Sequence, residues 1–175
     1  MQRDQKLAAS PTIGTLEHKP RWAAVVAGSI IAATAIYAAH EQAIKSDTKH
    51  AIQMLLDDYQ TAVRTKNLTS VNECYAPVLE QFYLLRNVPR ERVQREIGRA
   101  FAKYEWIGKV SLTNIVFHDV KGARVTVTFD KEWDFRGTKG FAGSEMQEMV
   151  FVKKDGQWRI AAERELQVYW VRHPG

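Results

Sequence analysis

Residues 146–171 read MQEMVFVKKDGQWRIAAERELQVYWV, and this stretch decides the fold of the second half of the chain. Apolar and polar residues alternate on both sides of Asp155-Gly156, a dipeptide that favours a tight turn between antiparallel strands. The stretch therefore predicts a β-hairpin, with strands at 146–154 and 158–171. Two further alternating runs precede it at 111–118 and 123–135, so we expect an antiparallel meander of four strands.

The region before residue 105 has helical periodicity instead. A first helix is indicated by Ile52, Leu56 and Tyr59, with Asp47 as a cap, and a second short helix by residues 71–75. An extended stretch at 79–83 follows, and a third helix starts at Pro89, where the missing N–H of proline costs nothing. Helices followed by an antiparallel sheet predict an α+β fold with the helices on one face of the sheet.

The third helix carries a basic stripe at i, i+3, i+7 and i+11, formed by Arg92, Arg95, Arg99 and Lys103. Such a stripe can contact lipid headgroups or an acidic partner. More often it is simply a solvated helix face.

Residues 22–39 read WAAVVAGSIIAATAIYAA and contain no charged side chain. As a helix this segment would be ~27 Å long, close to the ~30 Å hydrocarbon core of a bilayer. It predicts a single transmembrane helix between a basic tail (1–21) and a polar linker (40–47), with the folded domain at 48–171. The alternatives are a buried soluble helix and a cleaved signal peptide, and an uncleaved anchor is favoured.

Lysines and arginines on either side of this segment set its expected orientation. Four precede it (Arg3, Lys6, Lys19 and Arg21), whereas only Lys45 and Lys49 follow closely. This bias favours a cell-membrane protein with a cytoplasmic N-terminus and an extracytoplasmic C-terminal domain.

Composition excludes several kinds of site. The chain has one cysteine, Cys74, so it has neither an intramolecular disulfide nor a CxxC metal site. No metal-ligand spacing and no nucleotide-binding loop are present. We therefore expect no cofactor, no metal and no nucleic-acid partner, although the net charge of +5 would suit a small anionic ligand.

Residues 154–160, KDGQWRI, and 127–135, VTFDKEWDF, resemble strands of the nuclear transport factor 2-like, or SnoaL-like, superfamily. The resemblance covers roughly residues 48–171 and implies three helices packed on a strongly bent antiparallel sheet, a cone-shaped, cystatin-like roll. It also implies a cone interior that is a ligand pocket, an active site or a filled core, and a homodimer through the outer face of the sheet.

Charged residues interrupt the apolar faces of three predicted strands. If strand alternation holds, Lys131, Glu148 and Arg164 point into the cone, with Tyr59 of the first helix nearby, and together form a compensated polar pocket. The alternative is a β-bulge, which would reverse the alternation and direct these side chains to solvent.

These observations favour a membrane-anchored, non-enzymatic binding or assembly domain with a protein partner or a second copy. Its pocket candidates are Lys131, Glu148, Arg164 and Tyr59, and no catalytic residue is identified. The alternatives are a small isomerase- or hydrolase-like enzyme that uses the cone cavity, and a scaffold component of an envelope, secretion-type complex. An enzyme requires a base that faces an open cavity, whereas a binding domain can have a filled cone.

Overall fold

A computed structural model describes the backbone of residues 21–173 and the side chains of residues 37–120 and 122–173. The described residues form three helices: α1 (Arg21–Arg64), α2 (Leu68–Cys74) and α3 (Arg90–Lys103). They also form six strands: β1 (Val78–Phe82), β2 (Leu85–Pro89), β3 (Trp106–Lys121), β4 (Arg124–Arg136), β5 (Phe141–Lys154) and β6 (Gln157–Arg172).

The six strands belong to one curled sheet in the order β2-β1-β6-β5-β4-β3. All neighbouring pairs are antiparallel except β1 and β6, which are parallel. The α+β class, the four long strands and the three helices are as expected from the sequence. The β1–β2 hairpin was only partly anticipated, because β2 has no clear alternation.

The turn between β5 and β6 has two residues. Lys154 pairs with Gln157, and both Asp155 (φ 51°) and Gly156 (φ 79°) adopt positive φ. This conformation matches the right-handed twist of the flanking strands and is the one that Asp-Gly favours. A β-bulge follows, because Phe151 pairs with Ile160 but Val150 pairs with Ala162. Residue Ala161 is thus the extra residue of β6.

The core lies between the concave face of the sheet and the helices. Its fully buried side chains include Leu56, Val71, Phe129, Phe151 and Ile160. The side chain of Gln60 in α1 accepts a hydrogen bond from the Leu112 backbone N–H at 3.0 Å. The helices therefore contact the sheet through both apolar packing and a polar contact.

The chain divides into two units, residues 1–40 and residues 41–175. Residues 40–47, predicted as a linker, are helical, and Asp47 lies within α1 rather than at its start. Among the residues that the structure describes, no helix is long and apolar enough to cross a membrane. Most side chains of the predicted span 22–39, and the predicted tail, lie outside the described residues.

Candidate active site

The site is centred on a buried lysine. Lys131 is on β4, where odd-numbered residues point into the core, and it is only 8% exposed. Its Nζ lies 3.8 Å from Glu145 Oε1 on β5 and 3.8 Å from Glu163 Oε1 on β6. Both glutamates are buried as well, at 4% and 1% exposure. Three adjacent strands therefore each contribute one charged group to the interior. The lysine and the two glutamates lie together, as expected because a buried charge requires a partner.

Glu163 is held by neutral donors. Tyr75 donates its hydroxyl hydrogen to Glu163 Oε2 at 2.5 Å, and Gln147 Nε2 donates to Oε1 at 2.7 Å. The Tyr83 hydroxyl donates to the same Oε1 at 3.2 Å. These donors and Lys131 all contact the Glu163 carboxylate and hold it in one orientation.

Tyr83 is positioned by a strained turn. It is the first residue of the two-residue connection between β1 and β2, and its φ is 51°. A positive φ is uncommon for a bulky side chain, and such residues often occur where function requires a particular orientation. Here the turn places the Tyr83 hydroxyl 3.4 Å from Lys131 Nζ.

The phenols of the site are protonated at neutral pH. Burial, followed by the charge of Glu163, raises the pKa of Tyr75 and Tyr83 well above its usual value of 10. The same two causes raise the pKa of Tyr59, whose ring packs edge-on against Tyr75 at 6.2 Å. The hydroxyl hydrogens of Tyr75 and Tyr83 are donated to Glu163, so Tyr59 is the phenol of the three that can donate a hydrogen bond to a ligand oxygen.

Glu145 is different, because it titrates near neutral pH. Its pKa is raised from 4.5 to about 7, chiefly by burial; the charge of Lys131 partly offsets this rise, and the nearby carboxylates of Glu165 and Glu163 contribute to it. Burial alone would lower the pKa of Lys131, but the oxygens of Tyr59, Glu163 and Glu145 reverse that effect and raise it. The site thus combines a stable cation with a carboxyl group that can exchange a proton.

Two cavities meet at Lys131, Tyr83 and Phe135. The inner chamber has a volume of about 270 Å³ and lies beside α3, with Ile97 and Phe101 on its apolar side and Tyr59, Tyr75 and Glu163 on its polar side. The aromatic chamber has a volume of about 300 Å³ and is lined by Trp133, Phe141 and Glu145, among others. Glu145, whose pKa is about 7, therefore faces a cavity large enough for a small molecule.

The structure brings together two of the four predicted pocket residues. Lys131 and Tyr59 both line the inner chamber. Glu148 and Arg164 do pair with each other, with Arg164 Nε 2.8 Å from Glu148 Oε1, but Arg164 is exposed and neither residue contacts Lys131. The predicted cluster of Lys131, Glu148 and Arg164 is therefore not formed.

Two differences in strand register explain why Lys131, Glu148 and Arg164 do not lie together. The β4–β5 connection is centred near residue 138, so Lys131 faces Glu145 rather than Glu148. The bulge at Ala161 then reverses the alternation of β6, which turns Glu163 inward and Arg164 outward. The alternative interpretation, a bulge that sends charged side chains to solvent, was correct for Arg164.

Sequence analysis did not identify Tyr75, Tyr83, Gln147, Glu145 or Glu163 as site residues. Tyr75 lies beyond the end of α2 and Tyr83 lies in a turn, so neither belongs to a periodic pattern. The one available signal was the run 161–165, AAERE, where two alanines interrupt the alternation and indicate an irregular strand.

The other predicted features lie away from the chambers. Arg92, Arg95, Arg99 and Lys103 are exposed on α3, and Arg99 pairs with Glu96 at 3.0 Å. Cys74 is buried, and burial raises its pKa to about 11, so its thiol is unreactive. Within the described part of the chain, no group of three or more His, Cys, Asp or Glu side chains could hold a metal ion.

Known structures share this fold. A candidate scytalone dehydratase from Novosphingobium aromaticivorans superposes with a TM-score of 0.68 and 14% identity, covering 77% of this chain and 92% of that one. The hexachlorocyclohexane dehydrochlorinase LinA-type3 from Novosphingobium barchaimii gives 0.63 and 11%, covering 77% and 94%. A candidate dehydratase of the nuclear transport factor 2-like family from Streptomyces avermitilis gives 0.60 and 16%, covering 71% and 99%.

No protein-family model matches the chain, and no curated protein matches its sequence. The structural likeness shows that the domain has the nuclear transport factor 2-like fold, as the sequence resemblance implied. It also corrects the expectation of a non-enzymatic binding or assembly domain, because these similar folds are named as dehydratases and a dehydrochlorinase. The comparisons favour the enzymatic alternative.

Proposed function

We propose that the domain is an enzyme that removes a proton from a carbon atom next to a carbonyl group in a small, largely apolar substrate. The observation that carries this proposal is Glu145, a buried carboxyl group with a pKa of about 7 that faces the aromatic chamber beside Lys131. A general base is most effective when its pKa lies near the working pH.

Each polar group has a separate role in this reaction. The Glu145 carboxylate accepts the proton from carbon, and the electron pair of that C–H bond moves toward the carbonyl oxygen to give an enolate. The ammonium of Lys131, which lies 3.4 Å from the Tyr83 hydroxyl, stabilises the negative oxygen. Glu163 contacts neither the reacting carbon nor the carbonyl oxygen of the substrate in this scheme. It is a positioning residue, because it holds Lys131 and Tyr83 in place.

The enolate can then react in two ways. If the substrate carries a hydroxyl or chloride on the next carbon, that group leaves with its electron pair, and the overall reaction is an elimination. If it carries none, Glu145 returns the proton to another carbon, and the reaction is an isomerisation. We favour elimination, because dehydratases and a dehydrochlorinase share the fold.

The proposal is tested by hydrogen–deuterium exchange at carbon. The full chain is incubated in D₂O with cyclic ketones that carry a β-hydroxyl, a β-chloro or no β-substituent, and C–H loss is followed by NMR. We expect exchange or elimination with the wild type and a fall of roughly 10²–10⁴-fold in Glu145→Gln, which removes the base.

The matched control is Glu148→Gln. Glu148 is on the same strand, but its carboxylate pairs with the exposed Arg164. This variant should keep the wild-type rate. Equal rates in Glu145→Gln and the wild type, or no exchange above buffer with any ketone, would contradict the proposal.

The location and assembly of the enzyme are also proposed rather than observed. We propose that residues 22–39 anchor it in the cell membrane, supported by their uncharged sequence and by the basic residues that precede them. A homodimer through the outer face of the sheet stays a prediction. The exposed Trp170 of β6, which pairs with Ser144 on the outward side of β5, would suit such a contact.

A further inference from the structure

Trp133 has a hydrogen-bond donor that the protein does not use. Its side chain is 6% exposed, and its indole Nε1 is buried with no acceptor among the described residues. A buried donor without a partner costs roughly 1–3 kcal/mol, so nearly all such groups in folded proteins are paired. An unpaired donor beside a cavity can therefore be reserved for a ligand.

The ring is held in one place by a glycine. Trp133 faces Gly143 across the β4–β5 pair, and a Cβ atom on Gly143 would lie 2.3 Å from the ring atom Cζ2. No side chain can therefore replace the glycine hydrogen unless the ring moves. The absence of a side chain at position 143 lets the indole lie flat against the β5 backbone.

Aromatic side chains extend the wall of the aromatic chamber around this ring. The Trp133 and Phe141 ring centres are 5.6 Å apart, and those of Phe135 and Phe141 are 6.5 Å apart. Trp133, Phe135 and Phe141 all line the chamber of about 300 Å³ that also contains Glu145 and Lys131. Such a wall suits a flat ring, which packs well against aromatic faces.

We propose that the aromatic chamber binds a flat aromatic ring that carries an oxygen acceptor, and that the Trp133 indole N–H donates a hydrogen bond to this oxygen. Trp133 is then a specificity-determining residue for the substrate. That the bound aromatic ring belongs to a substrate rests on the proposed function. Binding of the ring can be measured without turnover.

The test compares two probes of similar shape. Acetophenone and isopropylbenzene both have a benzene ring with a small branched substituent, but only acetophenone has an oxygen acceptor. Binding to the full chain in one detergent is measured by ligand-observed NMR. We expect wild-type protein to bind acetophenone about tenfold more tightly, since a hydrogen bond to an otherwise unpaired donor contributes about 1–1.5 kcal/mol.

Trp133→Phe keeps an aromatic ring above Gly143 but removes the N–H. We expect it to reduce the acetophenone-to-isopropylbenzene ratio to near one, and any fall in melting temperature comes from lost packing of the buried ring rather than from a lost hydrogen bond. Trp106→Phe, which alters an exposed indole, should keep the tenfold ratio. Gly143→Ala should weaken both probes, because the added Cβ would displace the ring that lines the chamber.

A tenfold ratio that persists in Trp133→Phe would overturn the proposal, because the oxygen would then be held by another donor such as Lys131. A wild-type ratio near one would also overturn it. Glu145→Gln separates this inference from the proposed reaction: it should abolish proton abstraction but keep the probe ratio, because its carboxyl is not the donor.

Discussion

Glu145, Lys131 and Glu163 form a buried group in which one cation serves two carboxylates. Each carboxylate oxygen lies 3.8 Å from the ammonium, too far for a strong hydrogen bond. Glu163 has three additional donors, but Glu145 has Glu165 as its other charged neighbour. The excess negative charge therefore falls on Glu145, and protonation of this residue relieves it.

This imbalance predicts a pH effect on stability. The pKa of Glu145 is about 7 in the folded protein against a usual value of 4.5, so the folded protein binds more protons than the unfolded chain between these values. The free energy of unfolding contributed by this group therefore falls as pH rises through the window. Glu145→Gln should nearly match the wild type at about pH 5 and exceed its stability by roughly 1–3 kcal/mol at about pH 8.

Urea unfolding at the two pH values measures this difference. Glu148→Gln, which removes one partner of a half-exposed ion pair, should change stability by less than about 1 kcal/mol at both. A Glu145→Gln variant that is less stable than the wild type at pH 8 would show that its carboxylate stabilises the fold.

Removal of the cation should have the opposite effect. Lys131→Met leaves Glu163 and Glu145 buried without a counter-charge, which typically costs ~3–5 kcal/mol at about pH 8 and less at pH 5, where Glu145 is protonated. Lys109→Met is the control, because Lys109 and its partner Glu132 are both exposed. Equal losses in the two lysine variants by urea unfolding would contradict a buried cluster.

At the scale of elements, the β5–β6 hairpin determines which residues enter the cone. Trp158 begins the inward face of β6, is 7% exposed and belongs to the core. Trp158→Ala should therefore reduce the free energy of unfolding by ~3–5 kcal/mol, as expected for loss of a buried ring. The exposed Trp106 is the control, and Trp106→Ala should cost about 1 kcal/mol or less. A similar cost for both, measured by urea unfolding, would place Trp158 outside the core.

The regular strand β4 was predictable, and so was its inward lysine. Its apolar odd positions continue without a bulge along the β5 partner, from Val125 to Trp133, so alternation alone placed Lys131 in the core. Alternation failed where the pairing is irregular. In β6 the extra residue Ala161 reverses the side-chain direction. The two alanines at 161 and 162 indicate an irregular strand, but they do not specify which residue is the extra one.

The β4–β5 connection posed a different difficulty. The glycines at 137, 140 and 143 allow several turn positions. A connection centred between residues 139 and 140 would put Glu148 opposite Lys131, whereas the observed centre at residue 138 puts Glu145 there. Tyr75 and Tyr83 enter the site from outside regular elements. Their positions depend on tertiary contacts with Glu163, which short-range patterns do not report.

At the scale of the whole molecule, the predicted anchor determines whether the protein is bound to a membrane. If residues 22–39 span the membrane, the full chain should sediment with membranes and resist carbonate extraction, whereas a chain without residues 1–40 should be released. A phosphatase fused after Gly175 should be active only if the domain is exported. Carbonate release of the full chain would exclude the anchor, and an inactive phosphatase fusion would reverse the orientation.

The charged side chains that the fold buries in its interior support the proposed catalytic function. A binding domain with a filled cone would have apolar side chains at residues 131, 145 and 163. Neighbouring inward positions of this sheet are apolar in that way, as at Val127, Phe129 and Met149. Instead the curled sheet places a charged group from each of three neighbouring strands between two cavities. Buried charge of this kind is costly to a fold, and its presence beside the cavities supports the proposed function in proton transfer.

The ionisation of Glu145 is the most direct test of this account, and it requires no substrate. The full chain is labelled with ¹³C at glutamate side-chain carboxyls, and the Glu145 signal is assigned by its absence in Glu145→Gln. Its chemical shift is then followed from about pH 4 to pH 9. The account predicts a midpoint near 7, as burial and the neighbouring carboxylates require. A midpoint at or below about 5, within the ordinary range for glutamate, would contradict it.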